Sequence, residues 1–271
     1  MSIPCRGLRS LSKWCWRFWH VLWYLRVLPQ ARVAEARRVK RRLWILWTGL
    51  VVGCAHAASD AAFTVPDTMA QRTLACTVCH GKEGRATNAG YFPRIAGKPA
   101  GYLYSQLLNF RDGRRYNNLM SPLLVNLSDA YLREIAEYFA ALDLPYPPPQ
   151  AASLPAPVRE RGEALVRQGD QMRKIPACSS CHGSAMTGSE PGIPGLLGLP
   201  RDYLNAQLGG WRTGQRKAIS PDCMHDIAQR LDMADVSALS DWLATQPVPV
   251  PAKAVAASAS PLPIACGKVP P

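Results

Sequence analysis

Two stretches decide the fold: ACTVCHGKEG, residues 75–84, and ACSSCHGSAM, residues 177–186. Each places two thiols three residues apart, with a histidine directly after the second and a glycine after the histidine. Three chemistries use a CxxC pair. A thioredoxin-like pair sits in a βαβ context, and runs of alternating β-branched residues are nearly absent around either site. A zinc ribbon places its second pair about 15–20 residues on, whereas here the second pair begins 102 residues after the first. Neither accounts for the adjacent histidine. Covalent haem attachment accounts for all of it: both thiols add to vinyl groups at the porphyrin edge, and the next residue carries its imidazole to the iron. Cys76, Cys79 and His80 hold one haem on this reading, and Cys178, Cys181 and His182 the other.

Each iron needs a ligand on its opposite face. Beyond residue 57 the only histidine outside the two motifs is His225, so bis-histidine ligation at both sites is excluded by counting. Methionine is the natural alternative, because a thioether stabilises ferrous iron and raises the potential. An internal repeat selects among the methionines. FPRIAGKPAGYLYSQLLNFRDGRR faces GIPGLLGLPRDYLNAQLGGWRTGQR, with Pro93, Gly97, Tyr102, Gln106, Arg111 and Arg115 matching residues 101 positions on. Further along the offset is 104, and there Met120 pairs with Met224, each seven residues before a leucine, Leu127 or Leu231. Met186 lies too close to His182 to reach the far face of the ring, and Met69 and Met172 precede their motifs. At the second site His225, adjacent to Met224, stands as a rival ligand. It has no equivalent in the first half, where Ser121 occupies the position.

Charge and cysteine usage point to export. The formal net charge is +13, but residues 1–57 hold 11 Lys+Arg and one acid, so the rest of the chain is close to balanced. A nucleic-acid partner is therefore not expected. The basic flank, the apolar run from Leu43 to Val52, too short to span a bilayer, and the triplet Ala55-His56-Ala57 read as an export signal cleaved after Ala57. In a rival reading Cys54 of LVVGC is lipidated. The aromatic segment WCWRFWHVLWYLRVL is either a membrane-surface helix or lies upstream of a true start near Val33. Beyond the leader, Cys223 and Cys266 are left over from the CxxC pairs, and pairing and independence are equally open.

The chain divides into a leader (1–57), a first domain (58–147), a Pro-rich linker (148–157) of extended polyproline character, a second domain (158–246) and a low-complexity tail (247–271). One helix is expected to carry each CxxCH, beginning near Asp67 and near Val158. A second runs from about Ala100 to Arg111 and from about Arg201 to Trp211. The last helix of each half is expected to start at the N-cap residues Ser128 and Asp232. Its apolar face is read from Leu132, Ile135, Ala136 and Phe139 and from Val236, Leu239 and Leu243.

These residues resemble the dihaem cytochrome c4 group, class I c-type cytochromes with two similar domains in tandem. The resemblance covers about residues 66–246 and rests on CTVCHG and CSSCHG, the Pro-x-x-x-Gly segments, the YLxxQL helices and the LMSP loop. It implies an all-α fold, two tandem class I cytochrome c domains each wrapped around one covalent haem, with Met120 and Met224 as axial ligands. It also implies that the carbonyls of Pro93 and Pro194 accept a hydrogen bond from the proximal histidines. By the same resemblance the protein is a periplasmic electron carrier, often membrane-associated. Its expected partners are redox proteins such as a quinol–cytochrome c reductase, a terminal oxidase or a dehydrogenase, with no small-molecule substrate. The second loop, AISPDCMHDIAQRL, departs from the Met-Ser-Pro form. The alternative is therefore a dihaem enzyme or the cytochrome subunit of an oxidoreductase: a peroxidase, or a thiosulfate-oxidising or dehydrogenase-linked protein. Arg115 and Arg216 are weak candidates for contacts to haem propionates.

Overall fold

A computed structural model describes residues 64–87, 90–258 and 260–267. The leader, including Cys54 and the cleavage triplet, lies outside the described residues. The chain from Val65 onward forms one compact unit, built around two hydrophobic cores.

The first core is a stack of helices. α1 (Met69–Arg72) is capped by the Thr68 hydroxyl, which accepts from the Gln71 amide. α2 (Leu74–His80) carries the first CxxCH motif. α3 (Ala100–Arg111), α4 (Met120–Leu124) and α5 (Asp129–Ala141) follow. Ser128 caps α5 by accepting from Tyr131 N. Leu132, Ile135, Ala136 and Phe139 recur at helical spacing on α5, and all four are buried against Leu103, Leu107 and Leu108 of α3. Truncating a ring buried as completely as Phe139 costs about 3–5 kcal/mol.

The second core repeats the plan. α6 (Ala156–Arg167), α7 (Ser179–His182), α8 (Arg201–Arg212), α9 (Cys223–Arg230) and α10 (Met233–Thr245) surround it. Asp232 opens α10 with a reciprocal capping box: its carboxylate accepts from Asp235 N at 2.7 Å, and Asp235 accepts from Asp232 N at 3.3 Å. Val236, Leu239, Trp242 and Leu243 bury one face of that helix against α6 and α8. A two-residue antiparallel pair, β1 (Gly188–Ser189) with β2 (Ile193–Pro194), is the sole sheet among the described residues.

The structure departs from the sequence reading at both CxxCH helices. In the first half the expected single helix breaks at Thr73, whose hydroxyl turns back onto the Met69 carbonyl at 2.7 Å. In the second half the helix beginning near Val158 ends at Arg167, and the CxxCH motif occupies a separate turn. The cause is local. Gly169 has φ +73°, and a Cβ there would lie 2.3 Å from the Ile175 carbonyl oxygen, so the chain must reverse. The Asp170–Ile175 bridge closes the reversal, and Arg161 and Arg173 both donate to the Asp170 carboxylate.

The two lobes meet through the repeat itself. Arg115 and Arg216 face each other as an antiparallel bridge. The guanidinium of Arg115 donates to Gln106 Oε1 at 3.0 Å and to Gln207 Oε1 at 2.6 Å, and that of Arg216 to Gln207 Oε1 at 2.7 Å and to Gln106 Oε1 at 3.1 Å. Each cation also stacks on an aromatic ring of its own lobe, Arg115 on Phe110 and Arg216 on Trp211. Both arginines, read from sequence as partners of haem propionates, are thus engaged in joining the lobes. The extended segment from Leu144 to Ser153, which leads into and through the linker, is held at both ends. Arg94 is buried and donates to the carbonyls of Leu144 and Pro145, and the fully buried Asp241 carboxylate accepts from Ser153 N and Oγ.

Candidate functional site

Each CxxCH histidine is buried at a helix end, on α2 or α7. His80 Nδ1 lies 2.8 Å from the Pro93 carbonyl oxygen, and His182 Nδ1 lies 2.7 Å from that of Pro194. A carbonyl only accepts, so Nδ1 carries the proton and Nε2 keeps its lone pair. Burial pushes both imidazoles below their ordinary pKa against the opposing effect of these hydrogen bonds, and cationic neighbours, Arg115 for His80 and Lys98 for His182, push the same way. A neutral ring with a fixed proton and a free Nε2 is what a metal-ligating histidine requires.

The glycine after each histidine has a steric reason. Gly81 (φ 75°, ψ 167°) and Gly183 (φ 81°, ψ 150°) occupy a region open essentially to glycine alone. There the chain turns away from the helix end and leaves the imidazole facing inward. A Cβ on Gly81 would stand 2.2 Å from the Ala86 carbonyl oxygen.

None of the four CxxC cysteines is disulfide-bonded, although the same chain forms a disulfide elsewhere, between Cys223 and Cys266. Burial raises Cys178 to about 11 and also raises Cys76 and Cys181. Burial rather than a neighbouring cation dominates all three, the opposite of the electropositive setting that activates a redox pair. Among the described residues no group of three or more His, Cys, Asp or Glu side chains converges to hold a bare metal ion, so the zinc reading has no ligand set. Paired cysteines outside any disulfide, beside a neutral histidine whose Nε2 is uncommitted, fit a covalently attached haem in each lobe.

Met120 and Met224 sit at corresponding places, at the starts of α4 and α9. Asn117 Oδ1 accepts from the amides of Leu119 and Met120 and shapes the first loop. In the second loop Asp222 accepts from Ala218 N and His225 N. The far end of each loop is closed by a repeated arginine: Arg111 donates to the Leu127 carbonyl and Arg212 to the Leu231 carbonyl. Met120 packs on the first core, and Met224 is half-buried. His225, the rival ligand, follows Met224 and so projects about 100° round the helix from it. Its Nδ1 lies 3.1 Å from the Trp211 carbonyl oxygen of α8. Met186 is buried in the second core, while Met172 and Met233 are exposed.

Sequence reasoning left the Cys223–Cys266 pairing open, and the bond is formed. It missed the Arg–Gln crossing between lobes, although four polar residues repeated at one offset were a usable signal. It also missed Lys98, a buried cation of the first lobe that donates to the Gly195 carbonyl of the second, next to Pro194. Position 199, its counterpart in the repeat, is a leucine, so no duplication marks it.

No family model matches the chain. Among curated proteins, the "Thiosulfate dehydrogenase electron acceptor" of Thiomonas intermedia is 37% identical over 176 residues, which is 64% of this chain and 79% of that protein. Cytochrome c4 of Pseudomonas aeruginosa is 34% identical over 202 residues, 73% of this chain and 94% of the relative. Among solved structures, reduced recombinant cytochrome c4 from Pseudomonas stutzeri matches with a TM-score of 0.57 and 29% identity, over 65% of this chain and 96% of that one. The match covers nearly the full length of the cytochrome c4 relatives, which are dihaem c-type cytochromes, and the chain carries a matching pair of CxxCH motifs. With its all-α lobes and two haems the protein is an electron carrier, and the chain belongs to the cytochrome c4 family.

Proposed function

We propose that the protein is an exported, periplasmic carrier that takes electrons singly from a thiosulfate dehydrogenase and passes them to a respiratory acceptor. Cys76, Cys79, Cys178 and Cys181 tether the two haems. His80 and Met120 ligate the first iron, and His182 and Met224 the second. When bound, each haem exchanges one electron between ferric and ferrous iron. The chain's own part would be to hold each haem by a histidine and a methionine, which would leave no open place for peroxide or a sulfur substrate. The observation carrying this reading is the matched geometry of the lobes. In each, the histidine proton is committed to a proline carbonyl, and a methionine stands in the first turn of the helix at the repeated loop. Export rests on the basic and apolar leader, and the domain limits proposed are 58–147 and 158–246.

The choice of donor rests on the two relatives named as thiosulfate dehydrogenase electron acceptors, each 37% identical, and on the surface of the first lobe. Val78, between the two cysteines, is 81% exposed, and Leu119, Leu123 and Val125 beside Met120 are exposed too. At the matching positions the second lobe has Ser180, the disulfide-bonded Cys223, Ile227 packed on the core, and Gln229. The dehydrogenase docks on this apolar rim in a small, transient interface.

Mixing the oxidised protein with a thiosulfate dehydrogenase and thiosulfate tests the proposal. Both haems should become reduced, while thiosulfate alone leaves them oxidised. Oxidation of thiosulfate by this protein without the dehydrogenase, or failure of the dehydrogenase to reduce it, would contradict the assignment.

A further inference from the structure

The C-terminal tail, read from sequence as low-complexity, meets the second lobe on both sides of its haem site. On the histidine side Val255 pairs with the β1 strand: its amide donates to the Gly188 carbonyl at 3.0 Å, and its carbonyl accepts from Glu190 N at 2.8 Å. The Val255 side chain there lies 3.5 Å from where a Cβ on Gly183, the residue after His182, would stand. On the methionine side Cys266 is bonded to Cys223, the residue immediately before Met224, and Gly267 N donates to the Pro221 carbonyl at 2.7 Å. A Cβ on Gly267 would lie 2.2 Å from the Ile219 carbonyl oxygen, so the tail backbone runs directly against the loop. Between these anchorages Pro263 and Ile264 form one wall of a cleft whose other wall includes Ile175, Pro176 and Arg230.

We infer that Cys223, Cys266 and the tail they tether are positioning residues for the second haem: a strap that keeps the Met224 loop closed over its iron. The inference rests on the proposed ligation by Met224. Its physical basis is the loss of freedom that a crosslink imposes on the opened loop. Tethered to a tail that is itself bonded to β1 at Val255, the opened loop has fewer conformations open to it than an untethered one. The first loop has no equivalent among the described residues. Position 119, which matches Cys223, is an exposed leucine, and the loop is held by hydrogen bonds of Asn117, Ser121 and Arg111 with no crosslink to another segment. The strap also explains how the second loop dispenses with the Met-Ser-Pro form.

The test compares the ferric wild type with the Cys223→Ser/Cys266→Ser variant, following cyanide binding and the far-red charge-transfer band of methionine-ligated haem. In the variant one of the two haems should bind cyanide at least tenfold faster, and the other should keep its wild-type rate. Unchanged rates at both haems with a band of full intensity would overturn the strap. Met224→Ala separates this from an error in the ligand. If Met224→Ala alters neither the band nor cyanide binding, the ligand assignment fails. If it opens one haem while the double cysteine variant stays closed, only the strap fails. Should the double variant not fold, single methionine variants with the disulfide intact decide the matter. The band remaining in Met120→Ala, from the second lobe, should survive to higher guanidinium concentration than the band remaining in Met224→Ala. Equal or reversed midpoints would contradict the inference.

Discussion

The two lobes share a repeat yet hold their methionine loops by different means. In the first, the loop leading into Met120 is shaped by one asparagine side chain, and Leu119, Leu123 and Val125 around it stay exposed. In the second, Asp222 caps the helix that carries Met224, a disulfide pins that helix to the tail, and Val255 ties the tail to the histidine side. The histidine halves, by contrast, are nearly superimposable in their chemistry, down to the proline carbonyl and the following glycine. The duplication has therefore kept the histidine side of each lobe and diversified the methionine side. The first lobe leaves apolar side chains exposed beside Met120, and the second ties the corresponding loop to the tail.

The largest expected contrast comes from the glycines. Gly81→Ala forces a backbone conformation costing of order 1–3 kcal/mol and adds a collision with the Ala86 carbonyl at 2.2 Å, so it should destabilise the first lobe more than its counterpart does the second. Gly183→Ala carries the same backbone cost, but its nearest neighbour, the Gly188 carbonyl oxygen, is 3.2 Å away. Thermal unfolding of the two variants, followed at the haem absorbance, checks the order. A smaller contrast concerns docking. A charge among these exposed apolar residues, Val78→Lys, should slow reduction by the dehydrogenase about tenfold, or about 1.4 kcal/mol, the scale of a residue that contributes to an interface. Ser180→Lys at the matching position should change it little. Stopped-flow reduction rates compare the two.

The smallest effect is electrostatic and belongs to the second lobe. Arg161 donates to Asp170, which also accepts from Arg173, and this cluster holds the Asp170 carboxyl down at about 2. A carboxyl whose pKa is depressed by folding contributes stability above its unfolded value, near 4, and loses it as pH falls through about 2. Acid unfolding of the second lobe should accordingly begin below about pH 4, and Asp170→Asn should flatten the pH dependence in that window without moving the first lobe. Circular dichroism across pH 2–5 reads this out.

Much of this was legible in the sequence, because the informative residues come in pairs. The CxxCH motifs are local and chemically specific, and the N-caps Ser128 and Asp232 with the apolar spacing behind them follow helix physics that needs no tertiary context. The break between α6 and α7 was not foreseen, because the apolar pattern runs through Leu165 and Val166 and only the left-handed turn at Gly169 ends it. The tail was opaque for a different reason. Its composition is that of an unstructured segment, and its order comes from one disulfide and a few backbone bonds made far away in sequence. Lys98 and Arg94 act across the linker and between lobes without any repeat to flag them.

The central claim is that both irons are closed by one nitrogen and one sulfur. Electron paramagnetic resonance of the fully oxidised protein, with near-infrared magnetic circular dichroism to identify the ligands, addresses it at both sites together. Two low-spin species, each with a histidine–methionine signature and together accounting for two haems per chain, are predicted. A high-spin signal, or a bis-histidine species in place of either, would contradict it.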